Sequence, residues 1–336
     1  MHFPKRVLVP LLLAAVVTAG ALHLMRRGPR AAPGDTFPEL IALAPPNSSY
    51  FFYADLAALR SAAFLAQLTA VAPSPTADRD YAEFVRATGF DYTKDLDRVL
   101  LAARPGQSGN LTVALAEGRF DREKITSYVL RTGKLDRQNG VDVYVVPSEK
   151  PSKYVALAFL GANRIALADG PSLGLVLAPH PPGALDPAMR EHLARVAGSA
   201  FFAVGQVGQV PEDFSLGGMR SDQFTNLVRS LRWITLAARI EGDRLRVAVE
   251  GECNTLESAR QLAGALDGLR VLGQALLSDP KTRQKLGPED ISRLETLLGA
   301  VGVSRDDQRV RVMLELTPEM IRAMTPKKPA PSTASP

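Results

Sequence analysis

Leu101-Ala102-Ala103-Arg104 and Leu236-Ala237-Ala238-Arg239 open two stretches of this 336-residue chain that follow the same plan. Each stretch passes through a turn rich in Gly, Asn or Asp into a second apolar segment, residues 111–115 in the first and 245–249 in the second. Each then ends on a Glu-Gly pair. Short apolar segments on both sides of such a turn predict a β-hairpin, and a helical pattern follows each one. The repetition predicts a diverged internal duplication.

The predicted elements of each half follow the order strand, helix, hairpin, helix, strand. This order predicts an α+β protein with two diverged ferredoxin-like (split β-α-β) units, mostly antiparallel sheets and helices on one face. The aromatic pair Phe51-Phe52 of the first unit is matched by Phe201-Phe202 of the second. Asp55 and Asp121 stand where helix N-caps are expected.

The chain divides into five predicted segments. Residues 1–30 form a membrane anchor or signal segment, and residues 31–46 form a linker rich in Pro and Ala. The first α+β unit spans residues 47–183 and the second spans residues 184–325. The tail, residues 326–336, consists of Lys, Pro, Ala, Ser and Thr, and it is predicted to be disordered.

The N-terminal segment predicts attachment to a membrane. Residues 7–25 carry no formal charge and are bracketed by Lys5-Arg6 and Arg26-Arg27. At the rise of an α-helix this length just crosses a bilayer core. The alternative is a cleaved signal peptide with small residues at Ala19 and Ala21, but the apolar run continues past them and favours an uncleaved anchor. The anchor residues are Val7, Leu11, Leu12, Leu13, Val16, Val17, Leu22 and Leu24.

A single-pass anchor with a short N-terminal tail usually sends the following domain outward. The expected location is therefore the inner membrane, with the body facing the periplasm or the cell exterior. The net charge of +5 comes from the two ends of the chain, since residues 1–30 hold five cations and no acid and the tail adds Lys327 and Lys328. The body is nearly neutral, which excludes a nucleic-acid-binding protein.

One motif predicts an enzyme. Gly170-Pro171-Ser172-Leu173-Gly174 fits the nucleophile elbow of serine hydrolases, with Ser172 as the nucleophile. The elbow requires a central parallel sheet, however, whereas the strands here are predicted as hairpins. Downstream of Ser172 the sequence offers only His180 and His192 as partners. A catalytic Ser172 is therefore a weak alternative to a protein without catalytic activity.

Metal and cofactor sites are not predicted. Asp91, Asp95 and Asp97, together with Thr93, show an every-other-residue pattern of oxygen ligands that could hold calcium. Leu96 stands where such a loop needs Gly, and Ala102 stands where it needs a bidentate acid. The four histidines and the single Cys253 show no ligand spacing for a transition metal, and no phosphate-binding loop occurs.

The longest predicted helix of the body begins after Asn254 and carries Gly264, Gly268 and Gly273. A glycine within a helix costs about 1 kcal/mol relative to alanine. Close packing of the helix on its own sheet would explain the three glycines. A possible interface with a partner helix or a second subunit is the functional alternative.

Three short motifs carry a resemblance to a family. They are residues 50–55, the Thr88-Gly89-Phe90-Asp91 motif followed by Asp95-Leu96, and Gly118-Arg119-Phe120-Asp121. In these motifs the chain resembles uncharacterised bacterial membrane-anchored envelope proteins with tandem α+β units, a family of unknown function. The resemblance implies a location and a fold, and it implies no activity.

We therefore expect a membrane-anchored extracytoplasmic binding or scaffolding protein without catalytic activity. One alternative is a carrier of an apolar ligand in the cell envelope, held between sheet and helices. The other is a serine hydrolase that uses Ser172. The expected partners are the membrane, through residues 7–25, and an envelope protein or an apolar ligand; no nucleic acid and no cofactor is expected.

Overall fold

The computed structural model describes residues 36–62, 79–106, 109–148, 153–171, 173–178, 185–207 and 229–324. Twelve strands of the described chain form one sheet in which every pair of neighbouring strands is antiparallel. The strands are β1 Tyr50–Asp55, β2 Leu96–Gly106, β3 Gly109–Gly118, β4 Lys134–Gln138, β5 Val141–Pro147, β6 Tyr154–Phe159, β7 Arg164–Asp169, β8 Phe201–Gln206, β9 Leu231–Glu241, β10 Arg244–Cys253, β11 Val301–Asp306 and β12 Arg309–Leu316.

Eleven helices connect or follow these strands in the described residues. They are α1 Thr36–Ala42, α2 Leu56–Ser61, α3 Arg79–Thr88, α4 Tyr92–Asp95, α5 Arg122–Val129, α6 Gly174–Leu177, α7 Pro187–Val196, α8 Leu256–Ser278, α9 Pro280–Lys285, α10 Pro288–Ala300 and α11 Pro318–Met324. The α+β class with a large antiparallel sheet is thereby confirmed. Asp55 and Asp121 are the N-caps of α2 and α5, as their positions in the sequence predict.

The order of strands across the sheet is β11-β12-β10-β9-β8-β1-β2-β3-β7-β6-β5-β4. The strands from β1 to β7 occupy one half and those from β8 to β12 the other, and the halves meet where β1 pairs with β8. Tyr50 lies opposite Gly205 and Phe52 lies opposite Ala203 in this pair. Moving outward from it, β2 and β3 on one side correspond to β9 and β10 on the other.

Both predicted hairpins are confirmed. β2 pairs with β3, and β9 pairs with β10. The Glu of each Glu-Gly pair also forms an ion pair with an arginine of the next strand, and the two ion pairs occupy equivalent positions in the two halves. Arg164 Nη2 of β7 lies 2.6 Å from Glu117 Oε1, and Arg311 Nη2 of β12 lies 2.6 Å from Glu250 Oε2. The two halves thus share strand order and one cross-strand interaction.

Complete ferredoxin-like units are not confirmed. A split β-α-β arrangement occurs in the second half, where β10 leads through α8, α9 and α10 to β11 and β12 lies between these two strands, antiparallel to both. It does not occur at the start of the first half. In such a unit the strands joined by a helix lie parallel, because the chain returns to the same end of the sheet before the next strand begins. Here β1 leads through α2, α3 and α4 to β2, and these two strands pair antiparallel. β1, β2 and β3 are consecutive neighbours, as are β8, β9 and β10, so this part of each half is a meander.

Helices cover both faces of the sheet, not one face as predicted. Side chains of β1 alternate between two cores: Phe51 and Tyr53 pack with residues of α1, α6 and α7, whereas Ala54 packs with residues of α2, α3 and α5. The helix α8 lies on the same face as α2 and α5, since Leu262 of α8 is close to Gly251 of β10. We call this the α8 face and the other the α7 face.

The predicted linker, residues 31–46, contains the helix α1. Its Leu40 is completely buried against the α7 face, and this burial of apolar surface docks the short helix on the sheet. The predicted anchor and tail lie outside the described residues. No helix in the described ranges combines the length and the apolar character needed to cross a membrane.

Candidate apolar binding site

An open apolar depression lies on the α8 face, where the two halves of the sheet meet. Its volume is about 430 Å³, which is in the range of ligand-binding pockets. Its lining residues in the described chain all belong to strands: Tyr50, Phe51, Phe52, Leu101, Ala103, Thr112, Ala203, Val204, Gly205, Ile234 and Leu236. The depression therefore spans the five neighbouring strands β3, β2, β1, β8 and β9.

Small residues make the floor of the depression and large ones make its walls. Ala203 and Gly205 of β8 lie directly opposite Phe52 and Tyr50 of β1. A β-carbon at Gly205 would lie 2.8 Å from Cδ1 of Tyr50, so the absence of a side chain there lets the Tyr50 ring lie over β8. Tyr50 and Ile234 remain 40% and 41% exposed, so these walls present apolar surface that no described part of the chain covers.

The chemistry of the lining is that of a site that binds by apolar contact. The hydroxyl groups of Tyr50 and Thr112 are the polar side-chain groups among its described residues. These residues include no carboxylate, imidazole, thiol or cation, so they offer neither a nucleophile with a base nor a set of metal ligands. Burying apolar surface there would contribute about 25 cal/mol per Å² to the binding of an apolar group.

A row of charged groups in the first half lies on the opposite, α7 face. Arg98 of β2 reaches Asp55 of β1 at 3.2 Å and Glu117 of β3 at 3.5 Å. Glu117 also receives two hydrogen bonds from Arg164 of β7, which in turn contacts Glu39 of α1. We call these five residues the charged row. Each charge in it has a partner of opposite sign, which is the arrangement of a structural network.

The second half holds a histidine in a similar network. His192 of α7 is buried and stacks on Trp233 of β9, with ring centroids 4.4 Å apart. Its Nδ1 accepts a hydrogen bond from Arg195, and its Nε2 lies 3.8 Å from Glu252. Burial, reinforced by the Arg195 charge, lowers the pKa of His192 below its ordinary value of 6.5, against the opposing effect of Glu252. His192 is therefore neutral at pH 7.

Two of the three motifs of the family resemblance, residues 88–96 and residues 118–121, meet at one place on the α8 face. The rings of Phe90 and Phe120 stack with centroids 5.2 Å apart, and the Arg119 amide donates to the Asp95 carbonyl at 2.8 Å. A β-carbon at Gly118 would overlap that same carbonyl oxygen. These motifs hold α3, α4 and the end of β3 together, which gives them a structural role.

The carboxylates of the possible calcium pattern are engaged with the protein itself. Asp91 caps α4 and accepts hydrogen bonds from Thr93 and from the Tyr81 hydroxyl. Asp95 and Asp97 pair with Arg119. The described residues contain no group of three or more His, Cys, Asp or Glu side chains that could hold a metal ion.

None of the other predicted site residues that the structure describes lines the depression. Ser172 lies outside the described residues, as do the anchor residues from Val7 to Leu24. The strand that precedes Ser172, β7, is flanked by antiparallel neighbours on both sides, unlike the strand before a nucleophile elbow. On α8, a β-carbon at Gly273 would lie 3.1 Å from Leu298 of α10, whereas one at Gly264 or Gly268 would meet nothing within 4 Å.

The sequence indicated the central strand of the depression but not that its Tyr50 side chain is exposed. The aromatic run from Tyr50 to Tyr53 indicates a strand. Because a strand buried on both faces carries apolar residues on both sides, the run does not show which of its side chains remains exposed. Nothing local marks Tyr50 as exposed. Its environment is set by Gly205 and Ile234, which lie far away in the sequence and come beside it only through the β1–β8 and β8–β9 pairings.

Comparison with known proteins finds no matching family model and no matching curated relative. Among solved structures, three crystal forms of TP0453 are similar. Form III gives a TM-score of 0.45 at 10% identity over 84% of this chain and 96% of TP0453. Form I gives 0.40 at 10% identity over 88% and 98%, and form IV gives 0.42 at 9% identity over 87% and 100%. The chain is thus distantly similar to TP0453 over most of its own length.

Proposed function

We propose that this chain is a membrane-anchored extracytoplasmic binding protein without catalytic activity, and that the depression is its binding site. The site takes an apolar group, such as an acyl chain. The observation that carries the proposal is the lining: an open volume of about 430 Å³ bounded almost entirely by apolar strand residues. Exposed apolar concavities of this size on a folded protein typically mark binding sites.

The remaining parts of the proposal come from the sequence. The uncharged segment of residues 7–25 anchors the chain in the inner membrane, and the body faces the periplasm or the cell exterior. Each half descends from one duplicated α+β unit, and the chain belongs with envelope proteins of that architecture. Support for the duplication comes from the matched strand order and from the equivalent pairs Glu117–Arg164 and Glu250–Arg311.

The proposal is tested by binding of a fluorescent fatty acid. Trp233 is the only tryptophan of the chain and precedes Ile234 of the lining, so it is an energy-transfer donor beside the site. Full-length protein in lipid nanodiscs is titrated with cis-parinaric acid, and transfer from Trp233 is recorded. We expect saturable transfer at one probe per chain.

The variant Ala203→Phe fills the floor of the depression and should weaken apparent affinity at least fivefold. Its matched control is Ala248→Phe, which places the same ring at an equally half-buried alanine on the α7 face of β10. That variant should bind like the wild type. Equal binding by both variants would contradict the assignment of the site. Absence of saturable transfer in the wild type would favour the scaffolding function, in which the sheet presents a surface to another envelope protein.

A further inference from the structure

The longest helix, α8, carries two apolar stripes, of which only one is used by the fold. Along the first stripe Ala259 and Leu277 are buried, Leu262 and Leu266 pack against β10 and β11, and Gly273 meets Leu298 of α10. This stripe holds the helix on the α8 face. The second stripe is formed by Leu269, Leu272 and Leu276, which are 61%, 54% and 53% exposed.

The second stripe has the spacing of a coiled-coil seam. Extended backward it includes Ala265, so that its members are separated by four, three and four residues. Such spacing repeats every seven residues and places the side chains in one line along the helix, where they interdigitate with a facing helix. We call residues 265, 269, 272 and 276 the α8 seam.

The space beside the seam is free of other described parts of the chain. Gly268 borders the seam and Gly264 lies next to it, and a β-carbon at either would meet no atom within 4 Å. Single exposed leucines are common on protein surfaces, but three in one line on successive turns, beside two glycines, form a contiguous apolar patch. Small residues beside a seam let a second helix approach closely.

We propose that the occupant of the α8 seam is the same seam of a second copy of this chain, paired antiparallel. The seam reads the same in both directions: the intervals from Ala265 to Leu276 are four, three and four. An antiparallel copy therefore places Leu269 opposite Leu272 and Leu272 opposite Leu269. Such self-complementarity is what a two-fold symmetric interface requires.

The charges of α8 allow pairing with an identical helix. Glu257 pairs with Arg260 and Asp267 pairs with Arg270 within the helix. No other acidic or basic residue occurs in α8, so the helix is neutral overall and its charges lie off the seam. A partner selected by charge would need an excess of one sign, which this surface does not present.

The size of the patch indicates a modest affinity. Pairing along the seam would bury on the order of 400 Å² per copy, about half of the ~800 Å² per partner of a standard interface. Confinement to a membrane raises the effective concentration of one copy near another. The strength of the pairing therefore rests on the membrane anchor of the proposed function, whereas the location of the interface does not.

Cysteine crosslinking of the full-length protein in membranes tests the interface. Leu272→Cys is treated with a short bismaleimide, and dimer is quantified on a denaturing gel. The matched control is Val271→Cys, at a position that is 56% exposed, lies one residue away and points about 100° round the helix. The wild type controls for Cys253, which is buried and whose thiol pKa is raised by burial.

We expect at least tenfold more dimer from Leu272→Cys than from Val271→Cys, and none from the wild type. A third variant, Leu276→Cys, carries the thiol at a second seam position and should also form dimer. Adding Leu269→Glu and Leu272→Glu to the Leu276→Cys variant should abolish crosslinking. Adding Val271→Glu to the same variant should not. Because all of these residues are exposed, circular dichroism should be unchanged.

Two results would overturn the proposal. If Leu272→Cys gives no more dimer than Val271→Cys while both variants react with a monofunctional maleimide, the seam is open to solvent. If the new thiol of Leu272→Cys is shielded from the maleimide without forming dimer, lipid or another protein covers it. Retention of the protein in carbonate-washed membranes is recorded in parallel, so that failure of the anchor is distinguished from failure of the interface.

Discussion

At the scale of the residue, His192 connects stability to pH. Its imidazole is buried between Arg195, Glu252 and Trp233, and the lowered pKa keeps it neutral in the folded protein. In the unfolded chain a histidine takes up a proton near pH 6.5. Below that pH the unfolded state binds more protons than the folded state, and stability decreases as the pH falls.

We predict that His192→Phe, which keeps a ring over Trp233, reduces this pH dependence. Between pH 7 and pH 5 the free energy of unfolding of the wild type should fall relative to that of the variant, by at most about 1.4 kcal/mol per pH unit, the limit for one proton. Urea unfolding at several pH values measures both. Parallel curves for the two proteins would contradict a depressed pKa at His192.

Residues whose role is local could be predicted from the sequence, and those whose role depends on distant strands could not. Asp55 and Asp121 were predictable as N-caps, because a cap bonds an amide three residues ahead. The cap of α8 is Thr255, whose hydroxyl accepts a hydrogen bond from the Ser258 amide in the same way. Gly205 showed no signal of its own, because its partner Tyr50 lies on another strand.

At the scale of the element, the charged row ties β1, β2, β3, β7 and α1 together. Glu117 is its centre, with a side chain only 4% exposed between two arginines. Removing its negative charge leaves the positive charges of Arg98 and Arg164 less well neutralised, at a position that little solvent reaches. Breaking such a buried network from one side costs about 3–5 kcal/mol.

We therefore predict that Glu117→Gln lowers the free energy of unfolding by about 3 kcal/mol. The matched control is Glu315→Gln, which breaks a cross-strand pair with Arg244 at the surface, where the arginine side chain is 57% exposed. That change should cost much less, because solvent screens an ion pair at the surface. Urea denaturation of both variants measures the difference. Similar losses in the two would show that burial of the row contributes little.

Hairpins were the elements that the sequence predicted best, because turn residues and alternating apolar residues lie within one short stretch. The edge strand β4 was missed, since Lys134–Gln138 is polar and exposed along most of its length. A strand of this kind is recognised by its partner β5 and not by its own composition. The exposure of the second stripe of α8 could not be predicted either, because helical spacing cannot tell which apolar face finds a partner.

At the scale of the whole molecule, one sheet joins what the sequence divided into two units. Rings of β1 and β8 touch across the junction: Phe52 meets Phe201 with centroids 4.8 Å apart, and Tyr53 stacks on Phe202 at 5.1 Å. The domain boundary near residue 184 stays a prediction. The joining of the halves through β1 and β8 could not be predicted, because no local pattern records which distant strands pair.

We predict that the described body unfolds in one cooperative transition. Separating the halves would expose the edges of β1 and β8 and the aromatic contacts between them, so neither half gains by unfolding alone. Differential scanning calorimetry should give a single peak with equal calorimetric and van't Hoff enthalpies. Phe202→Leu should lower the temperature of that whole peak. Two resolved peaks, of which only one responds to the variant, would contradict a shared sheet.

The pairing of β1 with β8 also determines when this part of the sheet can form during synthesis of the chain. β1 is the first strand of the sheet to be synthesised, but its partner on one side follows ~150 residues later, and contacts this distant form slowly. Until that partner has been synthesised, the open edge of this aromatic-rich strand is exposed to any other strand that it meets. We therefore expect the nascent chain to depend on a chaperone that shields this edge until residues 201–206 have been synthesised.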